Sequence, residues 1–281
     1  MNGIEEFAEG GTSSGKIRWE PYLEKAIEQY VESNSVLRQF CFLYRLNGTY
    51  TANLPKNAST GYAVEIVEGT EIPAVRQVIT TVDVKVSANG TAIEMTDEAK
   101  KLDWYGNLAA REVEEAAKRM LRKENNDIIN VLMSAAATET DSVNDDYLDV
   151  DDIVDAKTYL RKQFMNPDTV LVNPDQYGDL VKSGKLQEVY KSGSTAPLRE
   201  GTLGGRIAGL NVVEVPEVTS GTVLVVDFSA NPIWLVVLQD LEVESFRIPD
   251  RRMEKVQMTC YQKPATLKPE AIRQINITKG E

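Results

Sequence analysis

A chain of 281 residues with 42% hydrophobic and 26% charged residues can bury a sizeable core, and neither disorder nor a fibrous repeat is indicated. Its net charge of −12 works against binding nucleic acid, whose affinity comes from cationic neutralisation of phosphates. The chain contains no histidine, which removes Ser-His-Asp and Cys-His nucleophile activation, His-ligated zinc and His acid–base chemistry together.

Residues 1–18 are polar and glycine-containing, with Gly10-Gly11-Thr12-Ser13-Ser14-Gly15, and read as a flexible arm unless something outside the subunit orders them. They carry Glu5, Glu6 and Glu9 in place of a basic start and an apolar centre, and no apolar run is long enough to span a bilayer, so synthesis in the cytoplasm and no membrane are expected. A short helix follows Pro21, with Tyr22, Leu23, Ala26, Ile27, Tyr30 and Val31 at helical spacing, and an apolar segment runs from Val36 to Leu46. From Asn47 to Thr80 the pattern turns to short alternating strands punctuated by Gly48, Pro55-Lys56-Asn57 and Gly61, with Tyr62, Val64 and Ile66 on one face. This is a long two-stranded excursion, marginal alone and expected to rest on a neighbour.

Val78, Val82, Val84 and Val86 alternate with polar residues, and Asn89-Gly90 predicts a tight turn leading back through Ala92-Ile93-Glu94-Met95. Thr96 before Asp97-Glu98-Ala99 marks a helix start with Thr96 as N-cap. The dominant helix is predicted over 107–137, where Val113, Ala116, Ala117, Met120, Leu121, Ile128, Val131, Leu132 and Ala135 keep a 3.6 period. At about 45 Å it is longer than a compact domain needs and implies a flat or elongated body. Coiled coil loses, because Glu124 and Asn125 fall within the apolar stripe and no partner helix of similar length is visible.

The acidic loop Asp141–Asp152 ends in the cap of a helix Ile153–Phe164, with Asp149 or Asp151 as the capping residue. Asn166-Pro167-Asp168 turns into the strand Thr169-Val170-Leu171-Val172, and Pro174 opens a helix to about Lys182. The loop Ser183–Gly205 holds five glycines, and strands are predicted at 207–215, 222–227, 233–238 and 241–247. The order is α+β without regular βαβ alternation.

The motifs that suggest chemistry each have a simpler account. Gly10–Lys16 supplies the Gly-x-x-x-x-Gly-Lys of a phosphate loop, but Ile17 stands where Ser or Thr would hold magnesium and no strand precedes Gly10. Gly201, Gly204, Gly205 and Gly209 lack dinucleotide-binding spacing and read as a turn into a strand. Asp141, Asp145, Asp146, Asp149, Asp151, Asp152 and Asp155 lack the Gly and terminal Glu of a calcium loop, and a solvated loop with a helix cap accounts for them. Cys41 and Cys260 form no ligand spacing and read as buried, inert thiols. No catalytic, cofactor-binding or metal-ligating residue is therefore assigned, no cofactor is implied, and the chain is not read as an enzyme.

Three segments, in this order, carry a resemblance: Ile93-Glu94-Met95-Thr96-Asp97-Glu98-Ala99 before the long helix, Met165–Pro174, and Gly204-Gly205-Arg206-Ile207-Ala208-Gly209-Leu210-Asn211-Val212-Val213. With the arm, excursion and helix they make the chain resemble the Hong Kong 97 fold of tailed-phage major capsid proteins over nearly its whole length. The resemblance implies an N-terminal arm at 1–40, an extended E-loop hairpin at 41–80 and a peripheral domain at 81–147 with the spine helix 107–137. It further implies an axial domain at 148–235 and peripheral return strands at 236–281. The implied function is self-assembly through hexamers and pentamers into an icosahedral shell enclosing double-stranded DNA of a bacterial or archaeal tailed virus, located in the virion. Implied partners are other copies of itself, a separate scaffold, a portal, cement proteins, and packaged DNA without sequence-specific binding. Some members crosslink through an E-loop lysine; Lys56 is the candidate here, but no matching Asn and Glu stand out, and an exposed loop lysine is the simpler reading. The alternative is an encapsulin shell carrying protein cargo, whose first residues usually form a cargo-binding helix. A metal-dependent enzyme built on the acidic clusters is the distant third.

Overall fold

The structure, a computed structural model, describes residues 37–58, 65, 78–102, 108–140, 147–182 and 206–277. A four-stranded and a six-stranded sheet share one long helix, and a two-stranded ribbon stands off the first sheet.

The four-stranded sheet has the order β1 (Phe42–Arg45), β10 (Ile233–Ile248), β11 (Met253–Thr266), β4 (Ser87–Thr96). β1 runs parallel to β10, and the other pairs are antiparallel. The six-stranded sheet has the order β5 (Ala137–Thr140), β12 (Ile272–Asn276), β9 (Thr222–Val226), β6 (Thr169–Val172), β8 (Leu210–Glu214), β7 (Arg206–Ile207). The ribbon pairs β2 (Thr51–Ala58) with β3 (Val78–Lys85), from Thr51 opposite Lys85 to Ala58 opposite Val78. The helices are α1 (Asp97–Leu102), α2 (Leu108–Ala135), α3 (Val150–Lys162) and α4 (Pro174–Lys182).

The 28 residues of α2 make it about 42 Å long, and its apolar stripe serves two cores in succession. Val113, Ala116, Ala117 and Leu121 pack on Ile93, Met95, Val243, Val256 and Met258 of the four-stranded sheet. One helical half further on, Ile128, Ile129 and Leu132 pack on Leu171, Leu224, Val226 and Ile272 of the six-stranded sheet. The opposite face of that sheet presents Val170, Val172, Val223, Val225 and Ile275 to Ile153, Ala156 and Leu160 of α3 and Leu180 of α4. Strands covered on both faces give up the polar alternation of a half-exposed strand, so β6 and β9 read as unbroken apolar runs. On the α3 side the Arg273 guanidinium lies 3.8 Å over the Tyr159 ring.

Several sequence expectations hold. Thr96 Oγ1 accepts from the Ala99 N–H at 3.2 Å at the start of α1. Asp149 caps α3 in a capping box: its carboxylate accepts from the Val150 N–H at 2.6 Å, and its own N–H donates to Asp152 at 2.9 Å. Pro174 opens α4, which ends at Lys182.

Others are corrected. Asn89-Gly90 makes no turn: β4 runs straight through it, with Asn89 opposite Cys260 and Gly90 opposite Thr259. A Cβ at Gly90 would lie 3.1 Å from the Met258 carbonyl oxygen, so the glycine permits a close backbone approach. Pro55-Lys56-Asn57 lies within β2, which has β3 as its one neighbour among the described residues, so a missing N–H on its other side costs no ladder bond there. The long helix stops at Ala135, and Ala137–Thr140 becomes β5, paired in parallel with β12. The helix expected at Ile153–Phe164 begins at Val150 and ends at Lys162. The strand expected over 207–215 is a hairpin of β7 and β8, with Ala208 and Gly209 both at positive φ in its turn. The two strands expected at 233–238 and 241–247 are one strand, β10, whose register shifts between Val237 and Glu242. The helix after Pro21, the Tyr62, Val64 and Ile66 face, and the glycine loop up to residue 205 lie outside the described residues.

Candidate interaction surfaces

The first surface is the ribbon. Ala52, Leu54, Val84 and Val86 at its root are buried against Val236 of β10, Ala265 of β11 and Leu267 just beyond β11. Towards the other end the burial stops, and Ile79 is 62% exposed. Lys56 stands opposite Thr80 and makes no ion pair among the described residues; the Thr80 hydroxyl donates to its backbone carbonyl at 3.1 Å.

The second surface is β1, an edge strand exposed at all four positions. Phe42 and Tyr44 flank Trp234, with ring centroids 4.5 and 5.9 Å away. Large apolar side chains on a strand that has no second neighbour among the described residues form a template for another chain.

Behind β1 sits a charged hub that anchors it. Leu37 is buried, and a 3-10 turn at Arg38–Phe40 directs the Arg38 side chain inward. Its guanidinium donates to Glu124 of α2 at 3.3 Å and to Asp240 at 2.6 Å, while Arg45 reaches the other Asp240 oxygen at 2.9 Å. Glu124, only 5% exposed, also accepts from the Gln262 side chain at 2.7 Å. Burial disfavours the Arg38 charge, but Glu124 and Asp240 outweigh it and hold the guanidinium above the ordinary arginine value. The polar interruption of the α2 stripe thus has a purpose: it receives the segment leading into β1. The irregular stretch of β10 places Asp240 there.

Cys41 and Cys260 flank this hub. Burial, reinforced by the Glu124 carboxylate, pushes both thiols up to about 12, so each stays protonated and unreactive at neutral pH. The sequence reading of two buried thiols holds for Cys260, whereas Cys41 is half-buried.

Of the motifs with possible chemistry, the phosphate-loop-like Gly10–Ile17 and Asp141, Asp145 and Asp146 lie outside the described residues. Asp149 and Asp152 serve the α3 cap, and no group of three acidic or thiol side chains suited to a metal occurs among the described residues. An open cleft of about 400 Å³ between β4 and α2 is lined by Ala88, Asn89, Gly90, Thr91, Arg119, Met120 and Lys123, with no carboxylate or thiol. No helix among the described residues is long and apolar enough to cross a membrane.

A family model described as phage capsid protein matches residues 79–275, more than half of the chain. The chain belongs to the phage capsid protein family. No curated protein sequence matches it. Among solved structures, the capsid of cyanophage P-SCSP1u matches at TM-score 0.69 and 10% identity, covering 88% of this chain and 89% of that one. The head of Helicobacter pylori bacteriophage KHP40 matches at TM-score 0.67 and 12% identity, covering 84% and 87%. The SrpI encapsulin of Synechococcus elongatus matches at 0.61 and 12%, covering 87% and 88%. The fold of this capsid protein is accordingly of the Hong Kong 97 type, as its sequence resemblance implies.

Proposed function

We propose that this capsid protein is the repeating shell subunit of a tailed virus of bacteria or archaea, assembling through hexamers and pentamers into an icosahedral virion shell around double-stranded DNA. The observation that carries this reading beyond the family is the ribbon, whose root is built into the body while Ile79, towards its other end, stands exposed and open to a neighbouring copy. On this reading the ribbon of β2 and β3 belongs to the E-loop expected at 41–80, whereas β1 and the turn at Arg38–Phe40 belong to the body, and α2 is the spine of a peripheral domain completed by the four-stranded sheet. The six-stranded sheet with α3 and α4 is the axial domain, and β12 belongs with it although it follows the return strands. Shell formation requires contact surfaces and no catalysis. A separate scaffold, a portal and cement proteins are the expected partners, and packaged DNA is enclosed without sequence-specific contacts.

An encapsulin shares the fold, so the fold does not separate the two readings; the phage family match favours the virus. Negative-stain microscopy and light scattering of the recombinant chain, alone and with any scaffold encoded beside it, test the proposal. Closed shells or capsomers are the expected outcome. A chain that stays monomeric at every concentration would overturn it.

A further inference from the structure

The turn that ends α3 contains a residue the isolated subunit does not explain. Phe164 N–H donates to the Arg161 carbonyl and Met165 N–H to the Leu160 carbonyl, both at 3.0 Å, closing the helix in the manner that needs one left-handed residue. Glycine usually fills that place; here it is Phe164, at φ 62°. A bulky side chain in this conformation is strained, and the ring is 91% exposed, so burial does not compensate for the strain. Nor is the turn slack. The Asn166 N–H donates at 2.7 Å to the buried Asp227 carboxylate, and the Asp168 carbonyl accepts from the Asn211 N–H at 2.8 Å. A rigid frame holds an aromatic ring out into solvent, which is how an interface anchor is presented.

The surroundings indicate the partner. Arg161 and Lys162 are exposed in the last turn before Phe164 and make no ion pair among the described residues. At the other end of the same helix Tyr147 is 64% exposed, with Asp151 and Asp155 on the exposed face beyond it. Acid at a helix start and base at its end suit the helix dipole and alone imply no contact. The dipole does not explain an exposed ring at each end. The two ends match in charge and in aromatic character, and with a net charge of −12 the chain itself is an acidic partner.

We infer that the Arg161–Phe164 corner of one copy docks on the Tyr147–Asp155 corner of the next, with Phe164 against Tyr147 and the two cations facing the two aspartates. The inference rests on the shell reading and gives it a specific contact. Two different patches meeting head to tail make a heterologous interface, the kind that closes into rings.

Three full-length variants test it. Phe164→Gly is expected to melt at or above the wild-type temperature, because glycine relieves the strain, yet to need about tenfold or more higher concentration to assemble. Asp151→Lys with Asp155→Lys, and Arg161→Glu with Lys162→Glu, each place like charge at both ends of α3; each should fail to assemble alone, and the two should form hexameric rings when mixed, because only an even ring lets them alternate. Phe164→Gly assembling at wild-type concentrations, or a mixture that stays dispersed, overturns the inference alone. Wild-type protein that never assembles overturns the shell reading and the inference with it.

Discussion

In the six-stranded sheet the central strands β6 and β9 are buried at every position, giving alternate residues to α3 and α4 on one face and to α2 on the other. In the four-stranded sheet α2 covers residues of β4, β10 and β11, the edge strand β1 is exposed throughout, and a ribbon is carried off the body. The faces of one sheet's central strands are covered by its own chain, whereas the other sheet ends in an edge strand and a ribbon that the described residues leave exposed. Stability and assembly should therefore respond to mutation in different places.

The largest loss of subunit stability is expected in the closed sheet. Leu171→Ala removes a fully buried side chain in the middle of β6 and should cost about 2–5 kcal/mol in denaturant unfolding; a loss below about 1 kcal/mol would show that this core is not as closely packed as the burial indicates. Next comes the hub that ties β1 to α2. Arg38→Met leaves Glu124 buried without its cation and should cost about 3 kcal/mol, and adding Glu124→Leu should recover most of it. A double variant no more stable than the single one would mean that the hub acts through packing.

The thiols beside the hub give a pH dependence. Their folded pKa is raised from the ordinary 9.0 to about 12, so the native state holds these protons more tightly than the unfolded chain. The contribution is complete below pH 9 and is lost as pH rises towards 12. Wild-type protein should therefore lose more melting temperature over that window than the Cys41→Ala, Cys260→Ala double variant, and equal losses would contradict the assignment. The smallest effect on the subunit is expected at the ribbon. Ile79→Ser should change unfolding free energy by no more than about 0.5 kcal/mol while lowering particle yield. If it destabilises the subunit as a core change does, the ribbon is not an open surface.

Local signals were legible where a residue acts through its immediate neighbours. Thr96 and Asp149 as caps, Pro174 at a helix start, and the 3.6 period of α2 all depend on chemistry within one helical turn. The errors cluster where a distant strand decides. Asn89-Gly90 has a turn's composition, but pairing along the whole of β4 with β11 keeps it extended. Ala137 has a helix former's composition, yet β12, which lies more than a hundred residues later in the chain, draws it into a sheet. The candidate surfaces were partly legible: the excursion was visible as a two-stranded pattern, while the role of Glu124 showed only as a polar break in an apolar stripe. Phe164 gave no signal at all, because an exposed aromatic and a buried one look the same in a sequence.

The sequence by itself determined the absence of histidine and the long helix, because these follow from composition and from short-range periodicity, while three segments in their order carried the family resemblance. Only the tertiary structure decided which strands share a sheet, where Arg38 finds its two carboxylates, and that β1 and Phe164 face outward. Each of these depends on groups brought together from far apart in the chain, and no local preference encodes such a meeting.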